Sequence, residues 1–446
     1  MNKPISGWGR YPVQTCELIR PERYAELMPS AEKVIVRGQG RSYGDAALNE
    51  GGRVILSERL NRVLEFDEDS GLLRAEAGVA LKDILDIAVP RGWFLPVTPG
   101  TKFVSLGGCL AADVHGKNHH GGGTFGAHVQ EIELILANGT RTHCSADRKA
   151  DLFWATVGGM GLTGIIGEVT LRLIPIESAS MLVQHRAARD LDAGFKLLDD
   201  KDFDDVYTVA WIDCLARSHS LGRSIVMRGH HALLSELPAR KREQPFARNA
   251  RRQRNVPLNL PSWVLNPLSV GTFNNLYYWR QGRKHKPDIV DYESYFYPLD
   301  AISDWNRLYG KKGFVQYQCV LPTAGAFDGM RQILELLATS RRASFLAVLK
   351  RFGAAGMGML SFPMPGYTLA LDLPVRDPGL FKLLDHLDEI VARSGGRVYL
   401  AKDCRLAPDT FRAMYPRYEE WLAFKRAVDP GNRFSSSLSR RLRLDT

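Results

Sequence analysis

Glycine is distributed unevenly along this chain of 446 residues, and its clusters constrain the possible folds most strongly. Three clusters occupy residues 38–44, 100–126 and 158–167, all in the N-terminal part of the chain. Glycine removes side-chain bulk and permits positive φ, so such clusters indicate tight turns or backbone that closely approaches a ligand. The N-terminal part of the chain is therefore predicted to bind a ligand largely through its main chain.

The composition is that of a globular protein, with 45% hydrophobic and 24% charged residues, and the length predicts two or three domains. There is no apolar run of the roughly 18 residues that a membrane span needs, and the N-terminus lacks the apolar core of a signal peptide. We therefore expect a cytoplasmic protein, without excluding export in the folded state. The net charge of +10 leaves peripheral contact with the inner face of the membrane open. Six scattered cysteines without metal-ligand spacing indicate reduced thiols.

The pattern of strands and helices predicts an α+β fold with three regions, 1–175, 176–396 and 397–446. In the first, short strand-like runs at 33–37, 53–56, 72–77 and 132–136 accompany a helical stretch at 80–89. The second region has strand-like runs at 206–212, 314–320 and 368–373 and helices at 326–340 and 380–394, which predicts a mixed sheet with helices on one face. The third region contains a helix near 415–428.

Residues 237–287 differ from the rest of the second region, because they are rich in Arg, Lys, Pro and Asn. One interpretation is a solvated flexible loop. The alternative is a basic flap over the site or against a lipid surface, which the interleaved Trp263, Val264, Leu265, Phe273 and Leu276 favour.

The glycine clusters supply candidate cofactor contacts. Residues 36–45 (VRGQGRSYGD) form a strand followed by a loop whose backbone N–H groups can cradle a pyrophosphate, although a plain glycine turn is the alternative. Neither a Rossmann fingerprint nor a P-loop is present. Residues 155–167 (ATVGGMGLTGIIG) can sheath an adenine or ribose, or form a tight buried turn.

Residues 105–120 combine Gly107 and Gly108 with His115, Lys117 and two further histidines. The glycines leave room for a flat cofactor, and the titratable side chains can act as donors or bases. A metal site is disfavoured, because Asp113 is the one acidic residue close to these histidines. Solvated loop histidines are the other interpretation.

Together these stretches resemble the vanillyl-alcohol-oxidase-type flavoproteins, also called the p-cresol-methylhydroxylase (PCMH) superfamily. Within it, the chain resembles the flavin oxidase subunits of polyprenyl-phosphoryl-ribose 2′-epimerases over nearly its whole length. The motifs that carry this resemblance lie at 41–45, 115–120, 153–166, 297–300, 316–318, 361–366 and 401–403. The resemblance implies a PCMH-type FAD-binding domain, a central substrate (cap) domain and a C-terminal return that completes the FAD site.

The resemblance also implies site residues. Arg41 occupies the place where many relatives attach FAD through a histidine, so non-covalent FAD is expected. The implied cofactor contacts are Arg37, Gly38, Gly40, Arg41, Ser42, Tyr43, Gly44, Asp45, Gly100, Ser105, Gly107, Gly108, Ala112, His115, Ile166 and Tyr399. The implied catalytic residues are Lys402, His115, Lys117 and Tyr43, and the implied substrate contacts are Tyr297, Gln316, Gln318, Lys350, Thr368 and Ala370.

In alcohol oxidation the flavin accepts a hydride and a protein group must take the hydroxyl proton. Lys402 with a pKa lowered by burial is one candidate base and His115 is the other; Lys402 and Lys117 can also stabilise anionic reduced flavin. Gln316 and Gln318 alternate with Tyr317, so they are either sugar contacts or simply the polar face of a strand. The chain departs from the family at Thr368 and Ala370, where relatives have asparagine and cysteine. The cysteine is not needed for hydride transfer, whereas Thr368 shortens one polar contact and so bears on which substrate is bound.

The expected reaction is oxidation of the 2′-hydroxyl of a polyprenyl-phosphoryl ribose to a 2-keto sugar. An NAD(P)H-dependent short-chain reductase partner would then reduce this intermediate to the arabinose epimer. One alternative is an aldonolactone or alditol oxidase acting on a soluble sugar. A second is a flavin-free basic binding protein, but no nucleic-acid-binding motif supports it.

Overall fold

The computed structural model describes residues 2–27, 32–200, 206–248, 253–261, 264–284, 286–342, 344 and 346–445. In the first region the strands are β1 (Asn2–Ser6), β2 (Val13–Ile19), β3 (Val34–Arg37), β4 (Arg53–Leu56), β5 (Val63–Asp67), β6 (Leu72–Glu76), β7 (Trp93–Phe94), β8 (Val129–Ile135), β9 (Arg141–Cys144), β10 (Ile165–Arg172) and β11 (Ile174–Pro175). Its helices are α1 (Leu81–Ala88), α2 (Leu106–Ala111), α3 (His119–Gly122) and α4 (Ala150–Thr156). The strands and the helix predicted here are confirmed to within a few residues.

The first region contains two main sheets. One has the order β1-β2-β4-β3, with β4 parallel to both β2 and β3. The other has the order β5-β6-β10-β8-β9 and is antiparallel at each pairing described. The apolar faces of the second sheet and of α1 and α2 share one core, which includes Leu73, Ile84, Leu106 and Val169. The glycine loops connect these elements and are held in place by them.

The second region centres on an eight-stranded sheet. Its strands are β12 (Ser180–Ala188), β13 (Tyr207–Ile212), β14 (Ser224–His231), β16 (Asp288–Asp291), β18 (Phe314–Pro322), β19 (Ala347–Phe352), β20 (Gly366–Pro374) and β21 (Arg397–Val398), and β15 (Arg254–Asn255) and β17 (Ile302–Ser303) form a separate pair. The sheet order is β16-β12-β14-β13-β19-β20-β18-β21. Its seven pairings are all antiparallel, so this sheet is not mixed, contrary to the prediction. Among the described residues of this region, parallel pairing occurs between β15 and β17. Antiparallel neighbours can be joined without the long crossovers that parallel strands need.

The helices of this region are α5 (Leu191–Asp199), α6 (Ala239–Arg242), α7 (Pro267–Gly282), α8 (Tyr292–Phe296), α9 (Ala326–Ser340) and α10 (Gly379–Arg393). Helices α5, α9 and α10 bury their apolar stripes against one face of the large sheet, as predicted. Helix α7 lies within 237–287, where a loop was one interpretation, and it packs on the opposite face through the contact between Tyr277 and Trp211. Arg251, Arg252 and Trp263 lie outside the described residues.

The C-terminal region folds back onto the first. It contains α11 (Pro408–Met414), α12 (Tyr418–Val428) and α13 (Ser437–Arg441). Phe434 forms a parallel β-bridge with Val34, the first residue of β3, and Arg441 forms a bidentate ion pair with Asp45. Among the described residues no helix is long and apolar enough to cross a bilayer, and all six cysteines are free.

Candidate active site

A cavity of about 420 Å³ lies between the N-terminal glycine loops and the face of the eight-stranded sheet opposite α9 and α10. Three parts of the chain form most of its wall: the loop after β3, the segment from Thr98 to Lys117, and the sheet together with Tyr399–Lys402. Tyr277 of α7 and residues between 296 and 305 also line it. Seventeen of the residues predicted for the site line this cavity: Gly38, Gly40, Arg41, Ser42, Tyr43, Gly100, Ser105, Gly108, Ala112, His115, Lys117, Gln316, Gln318, Lys350, Ala370, Tyr399 and Lys402. The fold thus brings together residues separated by more than three hundred positions.

The loop after β3 is fixed against the C-terminal return. The backbone N–H of Tyr43 donates to the Ala401 carbonyl at 3.0 Å. Gly44 packs so tightly that an added Cβ would lie 1.5 Å from the Asp403 carbonyl oxygen. Gly40 has φ +62°, a conformation that favours glycine. The loop therefore presents its backbone to the cavity in one shape.

The glycines around α2 have two different roles. Gly107 faces the domain interior, where an added Cβ would lie 2.7 Å from the Ala77 side chain. Gly100 lines the cavity, and no atom lies within 4 Å of the position that its Cβ would occupy. The Ser105 hydroxyl caps α2 by accepting from the Gly108 N–H at 3.3 Å. Gly107 therefore serves packing, while Gly100 leaves space in the cavity.

On the sheet side, strand alternation separates core residues from cavity residues. Tyr317 and Leu369 point into the core beneath α9 and α10, whereas their neighbours Gln316, Gln318 and Ala370 line the cavity. In the register of β18 and β20, Gln318 lies opposite Ala370. Both predicted glutamines are thus on the polar side of the strand and also on the wall of the cavity.

His115 belongs to a buried hydrogen-bond network with Gln318 and Thr368. The Gln318 amide nitrogen lies 2.9 Å from His115 Nε2 and donates to the Thr368 hydroxyl at 3.1 Å. Because the amide nitrogen is a donor, His115 Nε2 accepts and Nδ1 carries the proton. Nδ1 is buried without a hydrogen-bond partner among the described residues. Burial, reinforced by the charge of Lys350, holds the pKa of His115 well below its usual range, so the ring is neutral.

Three half-buried lysines line the cavity. Burial lowers the pKa of Lys402 to about 7, although the nearby Asp372 carboxyl opposes this shift. Burial also lowers the pKa of Lys117 to about 7 and that of Lys350 to about 8. The Lys402 ammonium lies 4.0 Å from the centre of the Tyr43 ring, and Lys117 donates to the Tyr295 carbonyl. Such pKa values allow proton exchange near neutrality, which a normal lysine does not.

Asp372 is a residue that the sequence analysis missed. It is fully buried, and its Oδ1 accepts from the Gln316 amide at 2.5 Å while Oδ2 has no partner among the described residues. Burial raises its pKa to about 7, opposed by Gln316 and Lys402. The sequence could have indicated Asp372, because residues two apart along a strand lie on the same face, and Asp372 follows Thr368 and Ala370 at this spacing in β20.

The remaining predicted residues lie outside the cavity wall and support it. Asp45 binds Arg441, Tyr297 has its hydroxyl 2.6 Å from that of Thr98, and Thr368 holds Gln318. The Arg37 guanidinium donates to the Ser6 carbonyl at 2.7 Å, and Ile166 is buried in β10. Gly44 and Gly107 are packed as described above.

These features fit a flavin dinucleotide. The wall combines bare backbone at Gly38, Gly40 and Gly100 with buried polar atoms, such as His115 Nδ1, that lack a partner in the protein. Pockets for cofactors of this kind are concave and mostly apolar, with few polar anchors. Within the described part of the chain, no group of three His, Cys, Asp or Glu side chains is placed to hold a metal ion.

Comparisons with known proteins agree with this geometry. Residues 23–145 match the FAD binding domain family and residues 376–442 match the D-arabinono-1,4-lactone oxidase family. The decaprenylphosphoryl-β-D-ribose oxidase of Mycolicibacterium smegmatis is 38% identical over 99% of this chain and 98% of its own length. L-gulonolactone oxidase of Mus musculus is 23% identical over 91% of this chain and 88% of its own. The chain therefore belongs to the PCMH-type FAD-dependent oxidoreductases, in the family of the decaprenylphosphoryl-β-D-ribose oxidase.

Proposed function

We propose that the protein oxidises the 2′-hydroxyl of a polyprenyl-phosphoryl ribose to a 2-keto sugar. A separate NAD(P)H-dependent reductase then completes epimerisation to the arabinose form. The name of the mycobacterial relative, which matches over 99% of this chain, supports the substrate class. FAD, held without a covalent bond because Arg41 replaces the linking histidine, supplies the hydride acceptor.

Lys402 takes the hydroxyl proton in this proposal. It lines the cavity, and its pKa of about 7 leaves much of it neutral and basic at neutral pH. His115 is a weaker candidate, because Gln318 occupies its Nε2 and its low pKa gives little driving force for proton transfer. His115 instead fixes the Gln318 amide, and the protonated fraction of Lys117, with a pKa of about 7, places positive charge on the loop side of the cavity.

Lys350, Gln316 and Gln318 hold the polar part of the substrate. They line one side of the cavity and offer an ammonium and two amides to sugar hydroxyls and to a phosphate. A bound phosphate favours the Lys350 ammonium, because an adjacent negative charge raises the pKa of a lysine. Asp372 orients the Gln316 amide from behind.

The observation that favours a lipid-linked substrate is the apolar side of the cavity. Val209, Trp211, Met227, Tyr277 and Val348 line it between the sheet and α7. A soluble lactone or alditol has no apolar group to place there, whereas an isoprenoid chain does. This is the main physical argument against the lactone oxidase alternative, which rests on the match over residues 376–442.

An anaerobic substrate panel tests the proposal. The FAD-loaded protein is mixed with farnesyl-phosphoryl ribose, with its 2′-deoxy analogue as the matched control, and with arabinono-lactone and alditols. We expect the ribose lipid alone to bleach the flavin absorbance and to yield a ketone that borodeuteride labels at C2′. Bleaching by lactone or alditol, but not by the ribose lipid, would contradict the proposal.

A further inference from the structure

Helix α7 presents two chemically distinct faces. The inner face is anchored: Asn274 donates to Asp213 at 2.6 Å, Val270 is buried, and the Tyr277 ring packs on Trp211 with centroids 4.8 Å apart. Tyr277 also lines the active-site cavity. The helix therefore forms a wall between the cavity and the outer surface.

The outer face is apolar yet exposed. Leu268, Leu276 and Trp279 are 80%, 60% and 54% exposed. Together with Thr272 and Arg283 they follow the spacing of one helix side, so they form a continuous stripe. Large apolar side chains grouped in this way on a protein surface mark an interaction site.

The charged residues at the C-terminal end of this stripe are cations. Between Asn274 and Pro287 the sequence contains Arg280, Arg283, Lys284 and Lys286 and no Asp or Glu. Lys284 forms an ion pair with Asp288 at 3.6 Å. The Arg283 guanidinium lies 3.6 Å from the centre of the exposed Trp279 ring. Exposed Trp and Leu side chains flanked by cations are typical of helices that lie in the interface of an anionic bilayer.

We propose that the outer face of α7 docks on an anionic lipid bilayer. The apolar stripe enters the interfacial layer, and the exposed Arg280, Arg283 and Lys286 meet the headgroups. Because Tyr277 lies on the opposite face of the same helix, docking brings the active-site cavity to within about one helix diameter, roughly 10 Å, of the lipid. Docking does not depend on which sugar lipid is oxidised, and it gives the enzyme direct access to a substrate that resides in a membrane.

Vesicle co-sedimentation of the FAD-loaded protein tests the proposal. We expect binding to vesicles of phosphatidylcholine with phosphatidylglycerol, weak binding to phosphatidylcholine alone, and release by added salt. The double variant Leu276→Ser/Trp279→Ser should bind at least about tenfold more weakly. The matched control is Val13→Ser/Met357→Ser, which alters residues of similar exposure (62% and 60%) elsewhere and should bind normally. Unchanged flavin content and circular dichroism show that each variant is folded.

A second readout locates the contact. Brominated lipids should quench part of the tryptophan fluorescence in the wild type, and Trp279→Phe should lose that part while still binding. Equal binding by the wild type and the α7 double variant would overturn the proposal. So would a protein that ignores anionic vesicles, including one that self-associates through Leu276 and Trp279, because a second copy would then cover the stripe. Failure of the ribose-lipid assay would leave the vesicle result intact, so the two proposals can fail separately.

Discussion

On the side of the N-terminal loops, the cavity wall includes the bare backbone of Gly38, Gly40, Gly100 and Gly108, next to the side chains of Arg41, Tyr43, His115 and Lys117. On the side of the sheet, the wall carries polar and titratable groups: the half-buried Gln316, Lys350 and Lys402 and the buried Gln318, with the buried Asp372 behind them. The loop side restricts shape. An added Cβ at Gly100 would enter open cavity space, whereas at Gly38 and Gly40 it would clash with Ser105 and Arg37. The sheet side determines charge, because its pKa values are moved towards neutrality by burial. Substitutions that add bulk should therefore have their largest effect on the loop side, and substitutions that remove charge should have theirs on the sheet side.

Removing the charge-bearing group of Lys402 should have the largest effect. In Lys402→Met we expect flavin reduction by substrate to slow by about 10²–10⁴-fold, the usual contribution of a general base, while FAD stays bound. Anaerobic stopped-flow absorbance measures this rate. Lys382→Met, an exposed lysine on α10, is the control and should behave as wild type. A normal rate of flavin reduction in Lys402→Met would show that Lys402 is not the catalytic base.

The pH dependence of reduction should identify the same base. Lys402 has a pKa of about 7 and acts as a base only when neutral, so the rate should rise with pH and level off above about pH 7. At pH 6 we expect it to be about tenfold below the plateau. Asp372 favours the Lys402 ammonium, so Asp372→Asn should move the rise to lower pH. A flat wild-type profile would point to His115 instead, because its ring is already neutral.

Added bulk on the loop wall should affect the cofactor rather than the chemistry. Gly100→Ala places a methyl group where the protein has no atom within 4 Å, so the apoprotein should keep its melting temperature. If FAD fills this space, its affinity should fall by about 1 kcal/mol, roughly fivefold, in a fluorescence titration. Gly121→Ala, which is also unobstructed but outside the cavity, is the matched control. Unchanged FAD affinity in Gly100→Ala would mean that the cofactor does not lie there.

The smallest effect is expected for a neutral change on the sheet wall. Ala370→Cys should alter the uninhibited rate by less than about twofold, because it adds one atom and no charge at cavity-facing β20. It should nevertheless make the enzyme sensitive to a small alkylating reagent. The wild type should resist, because Cys109 is buried and burial raises the pKa of its thiol. Resistance of the variant would show that position 370 is inaccessible from the cavity.

The local periodicity of apolar residues was sufficient to predict individual helices and strands. Helix α9 occupies the same residues, Ala326–Ser340, that its apolar period predicted. Helix α7 was not predicted, because its composition is mixed and its stability comes from contacts such as Tyr277 with Trp211. Asp372 was missed because an acidic residue in a strand is informative only when its burial and its neighbours are known.

The sequence by itself determined the α+β class, the backbone-lined character of the N-terminal loops and the family, because glycine spacing and residue order are properties of the linear chain. Only the tertiary structure decided which of those residues meet. It brings Lys402 to the cavity beside Tyr43, turns Asp45 towards Arg441, and places Asp372 behind Gln316. The reason is physical: the pKa of a buried group depends on its desolvation and on charges from distant segments, and neither can be read from its neighbours in sequence.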